Sequence, residues 1–469
     1  MIALTIDEVA RAVDGRLVDA AHGERVVDGA VHTDSREVGP GDVFVCKPGE
    51  VTDGHVFAPD AVAAGAALLI VERPLELDVP QVVVDDAVVG LGALATEVVR
   101  RVRAGGALRV VGITGSNGKT TTKNLLRAIL SPEGETVAPR GSYNNEVGAP
   151  VTMLELTAST KYLVAEMGAS GVGHIARLTR MARPDIGVVL KVGLAHAGEF
   201  GGIEQTVRAK GEMVEALAED GVAVLNADDP RVAGMADRTS ARIVRFGFGF
   251  GADADVRATD VVAHAGGTDF RVEVAGIGSA DVRFRVLGEH HVMNALAAIA
   301  VATELGVALD DTVARLEQVT LAERWRMQLM GGRDGITVIN DAYNASPDSM
   351  AAALKTLAQL GRSGGRTIAV LGEMSELGEF SGEEHDRIGL QAVRLGISQL
   401  VVVGAGARRL HITAINEGSW DGESAFVETQ DEAFDLVAKT AGPGDTVLVK
   451  SSNSAGLRHL GDRLGEWFA

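Results

Sequence analysis

Val110-Val-Gly-Ile-Thr-Gly-Ser-Asn-Gly-Lys-Thr-Thr-Thr-Lys123 carries the strongest local signal in this sequence. An apolar run typical of a buried strand leads into a turn with glycines at 112, 115 and 118, and a helix-like segment follows. Backbone N–H groups at such a helix N-terminus can cradle phosphate oxygens, and the helix dipole favours an anion there. Lys119 would supply a positive charge to the terminal phosphates, and the Thr120 hydroxyl is placed to meet Mg²⁺. The segment therefore predicts an ATP site.

The glycine spacing of this loop departs from the common G-x-x-x-x-G-K-[ST] pattern, which would require glycine where Ile113 stands. The alternative interpretation is a glycine-rich strand-to-helix turn with a chance lysine. The strand context, the glycines and the Lys119-Thr120-Thr121 sequence together favour the phosphate loop.

Apolar runs alternate with helical segments on both sides of this loop, which is typical of βαβ units and a mostly parallel sheet. The strand candidates around the loop lie at 108–115, 161–168, 186–193 and 221–228. Two further runs, 269–274 and 281–286, are expected to be antiparallel, and a helix is expected over 291–306. A second doubly wound unit is predicted from the runs 336–341, 366–372, 399–407 and 445–452. The predicted fold class is α/β in three domains.

Composition narrows the class of protein. The chain has 469 residues, a net charge of −20 and a single cysteine, Cys46. The acidic balance argues against general nucleic-acid binding, which needs clustered cations. The N-terminus has no secretory pattern, and no apolar run is long enough to span a membrane. A cytoplasmic location is expected, since one cysteine excludes an intrachain disulfide framework.

Three polar residues after the phosphate loop are candidates for metal binding or catalysis. Glu166 ends one predicted strand, His196 follows another, and Lys210 lies further on. Sheets of this class present functional groups at the carboxyl ends of their strands, so the three are expected to converge on one crevice. His290 and His291 are expected to position a helix, because they lack the ligand count of a zinc site.

In these features the sequence resembles the Mur ligases along essentially the whole chain. The segment GITGSNGKTTTK is similar to that family's variant phosphate loop, which accounts for the glycine spacing. The resemblance implies a UDP-muramoyl substrate-binding domain at 1–105, a central ATP-binding P-loop domain at 106–323 and a C-terminal Rossmann-like domain at 324–469. It also implies an ATP-dependent amide ligase that acts through an acyl phosphate.

Several segments resemble more specifically the branch that joins D-alanyl-D-alanine to UDP-N-acetylmuramoyl-tripeptide. They are Tyr143-Asn-Asn-Glu-Val-Gly148, Asp341-Ala-Tyr-Asn-Ala-Ser-Pro-Asp-Ser-Met350 and Val370-Leu-Gly-Glu-Met-Ser-Glu-Leu-Gly-Glu379. Thr33-Asp-Ser-Arg36 is similar to the domain that holds the UDP end, a feature shared with the ligases that add the third peptide residue. Those ligases carry an Asp-Asn-Pro-Arg-like selector when they use diaminopimelate, and this sequence has none. The implied partners are the UDP-tripeptide and the dipeptide, with the chain a monomer.

The resemblance implies a role for each matching position. The implied ATP ligands are Gly115, Ser116, Asn117, Gly118, Lys119, Thr120, Thr121, Asn294, Arg326 and Asp341. The implied Mg²⁺ ligands are Thr120, Glu166 and His196. The implied catalytic residues are Lys119, His196, Lys210 and Arg326, with Lys210 at a position that is carbamylated in relatives. The implied substrate contacts are Ser35, Arg36, Asn144, Asn145, Tyr343 and Asn344.

Two positions depart from the family pattern. Asn453 stands where such enzymes usually carry an arginine, so a planar cation that could bind a carboxylate bidentately is absent there. Lys191 stands at a strand end that is usually rich in asparagine. The alternatives that stay open are a ligase of the same family that adds the third residue and a non-catalytic ATP-binding scaffold. Lys119, Glu166, His196 and Lys210 argue against the scaffold.

Overall fold

The computed structural model describes residues 1–49, 52–193, 202–249, 254–264, 266–320, 323–361, 364–417 and 420–469. Three larger sheets follow one another along the chain, and helices cover their faces. The structure is α/β with mostly parallel strands, as predicted.

The N-terminal sheet has the strand order β2-β7-β6-β5-β4, and β1 and β3 form a separate antiparallel ladder. These strands are β1 (Leu4–Thr5), β2 (Arg16–Leu17), β3 (Val26–Val27), β4 (Val31–His32), β5 (Val43–Val45), β6 (Leu68–Val71) and β7 (Gln81–Val83). The accompanying helices are α1 (Ile6–Ala12), α2 (Ala58–Ala63) and α3 (Ala87–Ala104). Asp86 caps the N-terminus of helix α3, and its carboxylate accepts hydrogen bonds from two backbone N–H groups of the first turn.

The central sheet has the order β16-β15-β14-β13-β12-β11-β8-β10-β9. Its strands are β8 (Arg109–Thr114), β9 (Thr136–Val137), β10 (Tyr162–Glu166), β11 (Ile186–Val189), β12 (Val222–Asn226), β13 (Arg242–Gly247), β14 (Val256–His264), β15 (Gly267–Val274) and β16 (Gly278–Phe284). The helices of this part are α4 (Lys119–Leu130), α5 (Gly148–Met153), α6 (His174–Ala182), α7 (Ile203–Glu215), α8 (Pro230–Ala233), α9 (Glu289–Glu304) and α10 (Leu309–Leu316). Strands β14 to β16 are antiparallel, which confirms the prediction for 269–274 and 281–286.

Buried parallel strands place the functional loops of this sheet at one edge. Strands β8, β10, β11 and β12 run parallel and are apolar on both faces, as expected for strands covered by helices on both sides. Their carboxyl ends lead to the phosphate loop, to Glu166 and to Lys191. Helix α9, which is nearly all buried, packs against α4 and so brings Asn294 beside the phosphate loop.

The C-terminal sheet has the order β17-β18-β22-β19-β20-β21, with only β17 antiparallel to its neighbour. Its strands are β17 (Gln328–Gly331), β18 (Thr337–Asn340), β19 (Thr367–Leu371), β20 (Gln399–Val403), β21 (Glu423–Val427) and β22 (Thr446–Lys450). The helices are α11 (Pro347–Gly361), α12 (Ser381–Arg394), α13 (Arg408–Asn416), α14 (Gln430–Thr440) and α15 (Leu457–Trp467). Among the described helices, none combines the length and apolar character that a membrane crossing requires.

Candidate active site at the phosphate loop

The turn that begins helix α4 depends on Gly118. Its φ is +88°, a left-handed conformation that glycine adopts without steric cost. A Cβ added at this position would lie 2.3 Å from Oδ1 of Asn294, a buried side chain of α9. Glycine is therefore needed both for the turn and for the close approach of the two helices.

Lys119 is the first residue of α4, and its side chain lines two adjoining cavities. Its Nζ donates a hydrogen bond of 2.8 Å to the carbonyl of Gly115. Burial lowers the pKa of this ammonium, the carboxylate of Glu166 raises it, and the neighbouring Arg326 lowers it. A cation held by a single backbone carbonyl can turn to a phosphate oxygen with little loss of hydrogen bonding.

Glu166 is 1% exposed at the end of β10. Its Oε1 accepts hydrogen bonds from Nδ2 of Asn144 at 2.8 Å and from Oγ1 of Thr120 at 3.3 Å. Its Oε2 is buried and has no partner among the described residues. An unpartnered buried carboxylate oxygen is costly, and a carboxylate beside a hydroxyl is a donor set that Mg²⁺ accepts when phosphates and waters complete its shell. The residues present therefore fit a magnesium ion.

A metal site built from protein groups alone is not present in the part of the chain that the structure describes. No group of three or more His, Cys, Asp and Glu side chains is placed there to hold an ion.

The opposite wall of the site comes from the C-terminal sheet. Lys450, 2% exposed at the end of β22, donates to Oδ2 of Asp341 at 2.5 Å and to the carbonyl of Asn344 at 3.1 Å. The other carboxylate oxygen of Asp341 accepts the backbone N–H of Met327 at 3.0 Å. This buried ion pair is satisfied on both sides, so it holds the segment that carries Asn344 in one conformation.

Arg326 faces the phosphate loop from the same wall. Its guanidinium lies 4.5 Å from the centroid of the Tyr343 ring, a cation–π contact, and its Nη2 donates a long hydrogen bond of 3.4 Å to Oγ1 of Thr120. The hydroxyl of Tyr343 is 3.1 Å from Oγ of Ser142. The buried Nε of Arg326 has no partner among the described residues, so the group can still form further charge-assisted hydrogen bonds.

Two histidines at the start of α9 complete the wall. Burial lowers the pKa of His290 to about 4 and that of His291 well below its usual value. Both imidazoles are therefore neutral at pH 7. The Nε2 of His291 is buried without a partner among the described residues, while its Nδ1 lies 3.4 Å from Nδ2 of Asn294. A neutral ring beside an amide can recognise a nucleobase edge without adding charge.

These groups enclose two adjoining cavities. The first has a volume of about 290 Å³. It is lined by Ser116, Asn117, Gly118, Lys119, Thr120, Thr121, Ser142, Asn144, Glu166, His290, His291, Asn294, Arg326, Asp341, Tyr343, Asn344, Ser346, Ser349 and Lys450. The second has about 230 Å³ and is lined by Lys119, Asn144, Asn145, Glu146, Gly168, Ala169, Ser170, His174, Arg177, Leu178 and Lys210. Lys119 and Asn144 line both, so the two cavities meet at these side chains.

Lys210 lies on α7 at the second cavity and is 3% exposed. Burial lowers the pKa of its amine to about 7, and the charge of Lys119 adds to the effect. Two residues on, the buried Glu212 accepts backbone N–H groups of Gly173 and Ala176. Helix α7 therefore holds the N-terminus of α6, with its His174, against the cavity.

The structure brings together most of the residues that the sequence singled out. The phosphate-loop residues 116–121 line the first cavity together with Glu166, Asn294, Arg326, Asp341, Tyr343 and Asn344, whereas Gly115 lines neither cavity; Asn145 and Lys210 line the second. Ser35 and Arg36 line neither; they lie in a 3₁₀ turn of the N-terminal part, where Arg36 pairs with Asp34. His196 lies outside the described residues. The functional role of each residue stays a prediction.

Four side chains contribute to the site although the sequence patterns do not assign them to it. Lys450 ends a predicted strand, and the strand-end rule that selected Glu166 would also have selected it. Lys123, in the first turns of α4, is buried and donates from Nζ to the carbonyls of Pro139 and Gly141, which shapes the segment before Ser142. His290 and His291 are expected from the sequence to position a helix, and both also line the first cavity.

Comparison with protein families matches three consecutive regions. Residues 29–104 match the Mur ligase family catalytic domain, residues 113–302 the Mur ligase middle domain, and residues 325–453 the Mur ligase glutamate ligase domain. Two relatives are named UDP-N-acetylmuramoyl-tripeptide--D-alanyl-D-alanine ligase. The protein from Mycobacterium tuberculosis is 44% identical over 99% of this chain and 98% of its own length. The protein from Escherichia coli K12 is 34% identical over 98% of each.

Solved structures agree with this assignment. MurF from Acinetobacter baumannii superimposes with a TM-score of 0.89 at 33% identity and covers 99% of both chains. MurF ligase from Thermotoga maritima, solved in complex with ADP, has a TM-score of 0.82 at 28% identity over 94% of this chain and 98% of that one. On its sequence and its three-part fold, the chain belongs to the Mur ligase family of ATP-using ligases.

Proposed function

We propose that this enzyme joins D-alanyl-D-alanine to UDP-N-acetylmuramoyl-tripeptide at the expense of ATP, in peptidoglycan precursor synthesis. The relatives that match it over nearly its whole length carry that name. The observation that carries the mechanism is the pair of cavities that meet at Lys119 and Asn144. ATP occupies the first cavity, and the tripeptide carboxylate enters the second.

The reaction has two steps. The terminal carboxylate of the tripeptide attacks the γ-phosphorus of ATP, which gives an acyl phosphate and ADP. The amine of the dipeptide then attacks the acyl carbon, a proton leaves the amine, and inorganic phosphate departs. Lys119 is a cation that lines both cavities, so it neutralises the charge that develops on the transferred phosphoryl group.

Thr120 and Glu166 would hold Mg²⁺, with His196 as the site of a second ion on the strength of the family resemblance. The metal, when bound, neutralises phosphate charge and orients the phosphoryl group for transfer. Arg326 binds the phosphates from the C-terminal side, and Asn294 with the neutral His291 contacts the adenine. Asn144 and Asn145 contact the muramoyl substrate.

Lys210 is proposed to act as a carbamate. Its lowered pKa, about 7, leaves a large fraction of neutral amine at neutral pH, and only the neutral amine reacts with CO₂. The product carries a negative charge in place of a positive one, which suits a position beside Lys119 and a metal. Ser35 and Arg36 are proposed to hold the UDP end, and the enzyme is proposed to work as a cytoplasmic monomer.

Inorganic phosphate release from ATP and Mg²⁺ tests the proposal. Release that requires both UDP-N-acetylmuramoyl-tripeptide and D-alanyl-D-alanine, together with the mass of the pentapeptide product, is the expected result. Turnover only with the UDP-dipeptide and a free diamino acid would instead identify a ligase for the third residue. ATP binding without turnover in either assay would leave a non-catalytic scaffold.

A further inference from the structure

A cavity of about 930 Å³ lies at the opposite edge of the central sheet from the phosphate loop. The residues that begin five parallel strands line it: Arg109 of β8, Tyr162 of β10, Ile186 of β11, Val222 of β12 and Arg242 of β13. The phosphate loop and Glu166 lie at the carboxyl ends of β8 and β10, at the other edge of the sheet. This cavity therefore lies apart from the active site and shares no lining residue with it.

The cavity is cationic although the chain as a whole carries a net charge of −20. Its basic lining residues are Arg103, Arg109, Lys161, Arg180, Arg183 and Arg242, and its acidic ones are Asp185, Asp220 and Glu304. Arg103 pairs with Asp185, and Arg242 pairs with Glu304. Two of the three acids are thus neutralised within the wall, and the remaining cations exceed the remaining acid.

Three arginines of this lining have guanidinium groups with no ion pair or hydrogen bond to the described residues. They are Arg109, Arg180 and Arg183. A guanidinium presents several N–H donors in a rigid fork that matches phosphate oxygens, so several of them around one concavity form a multidentate anion site.

Stabilisation of helix ends accounts for only part of this positive charge. Helices α3, α6, α7 and α9 end at the cavity, and cations favour the negative ends of helix dipoles. Arg103 does serve such an end, because its Nη2 donates to the carbonyl of Arg183 at 2.6 Å. Arg109, Arg180 and Arg183 make no such hydrogen bond within the described chain.

Arg183 also occupies a backbone conformation that does not suit it. Its φ is +49°, at the residue after α6, where glycine is the usual choice. Glycine would adopt this conformation without the steric cost that an arginine carries there.

We propose that this cavity binds a small molecule that carries two or more phosphate groups. Its volume lies within the roughly 300–1,000 Å³ that is common for small-molecule sites. The wall between the arginines is formed by small and apolar residues, which leaves room for an uncharged body attached to the phosphates. They are Ala107, Pro184, Ala216, Ala218, Val222 and Leu305.

Inorganic pyrophosphate is the probe for this site. Its binding to the full-length enzyme is measured by titration calorimetry with the nucleotide site saturated with ADP and Mg²⁺. We expect the double variant Arg109→Gln/Arg180→Gln to bind pyrophosphate about tenfold more weakly or worse, since hydrogen bonds between charged groups are the strong ones. The matched control is Arg394→Gln, an exposed arginine at the end of α12 that lies outside this lining, and its affinity should be unchanged.

The variant Arg183→Gly distinguishes a loss of pyrophosphate binding from a loss of folding stability. Glycine suits the left-handed φ, so the thermal unfolding midpoint should stay or rise while pyrophosphate affinity falls. Absence of pyrophosphate binding to the native enzyme, or unchanged affinity in the folded double variant, would overturn the proposal. Citrate bound as tightly as pyrophosphate would overturn the phosphate class. Ligation activity of the variants in the absence of pyrophosphate is expected to match the native enzyme, which keeps this result separate from the proposed function.

Discussion

Burial lowers the pKa of Lys210, so the free energy of unfolding should depend on pH. The amine has a pKa of about 7 in the folded chain against a usual value of 10.5. Between these values the unfolded chain binds one more proton than the folded chain, so the free energy of unfolding rises with pH there by about 1.4 kcal/mol per unit. Below pH 7 both states are protonated and the cost of burying the ammonium is constant.

Lys210→Met removes this titration. In CO₂-free buffer, urea unfolding should show that the native enzyme gains stability relative to Lys210→Met as pH rises from about 7 towards 10. Lys439→Met, at an exposed lysine, is the control and should show no such pH-dependent difference. A native-to-variant difference that is constant from pH 6 to 10 would contradict the lowered pKa.

Lys119 should matter for the rate of phosphoryl transfer more than for folding. Lys119→Ala removes the only lysine that lines both cavities within the described chain, and loss of such a charge at a developing phosphoryl charge typically costs about 10²- to 10³-fold in kcat. Single-turnover formation of ADP measures the step directly. Lys439→Ala should leave the rate unchanged, and a Lys119→Ala enzyme with near-native ADP formation would exclude the assigned role.

Some residues of the site could be predicted from local sequence patterns and others could not. Glu166 and Lys119 were predictable because a strand end and a glycine-rich turn fix where they lie. The contact between Lys450 and Asp341 joins residues 109 positions apart, and no local pattern reveals it. His290 and His291 resemble an ordinary helix start in the sequence; only the packing of α9 on α4 places them beside the nucleotide cavity.

Among the elements, the turn before α4 should be sensitive to a single added methyl group. In Gly118→Ala the left-handed φ costs roughly 1–2 kcal/mol, and the Cβ would also collide with Asn294. We expect lower stability together with a raised KM for ATP, because the loop or α9 must move. Gly306→Ala is a matched control, since Gly306 has a φ of +80° with no atom within 4 Å of the added Cβ.

Gly306→Ala should lose a similar amount of stability from its backbone conformation and keep its KM for ATP. Thermal unfolding and initial rates at varied ATP concentration measure both quantities. Equal KM values for ATP in the two variants would contradict the close approach of Gly118 and Asn294.

The elements themselves were largely predictable, for a physical reason. Strands such as β11 and β20 are buried on both faces, so they read as unbroken apolar runs between turns. The short strands β2 and β3 have only two residues each and a partly exposed pattern, and nothing in their composition separates them from loops. Such patterns do not predict the order in which the strands pair. For example, β22 lies between β18 and β19 in the sheet.

At the scale of the whole molecule, the first cavity lies between the central and the C-terminal parts of the chain, which contact each other. Ser346 Oγ donates to Oδ1 of Asn117 at 3.0 Å, and Lys191 lies 3.6 Å from Asp348. Further out, Lys355 of α11 and Glu289 of α9 form an ion pair at 2.6 Å. Because both parts line one cavity, ATP binding and the arrangement in which these contacts form (the closed arrangement) are expected to favour each other.

Substitutions at the Lys355–Glu289 pair test this coupling, because neither residue lines the cavity. Lys355→Glu places two carboxylates together and should favour an open arrangement, and a partly exposed pair of this kind is worth about 1 kcal/mol or less. The KM for ATP should therefore rise by up to about fivefold, with kcat at saturating ATP unchanged. The charge-swapped variant Lys355→Glu/Glu289→Lys should restore the native KM, and high salt should shrink the difference. If the swap does not restore the KM, the effect of Lys355→Glu does not come from this pair, and closure must depend on the contacts at Asn117 and Asp348 instead.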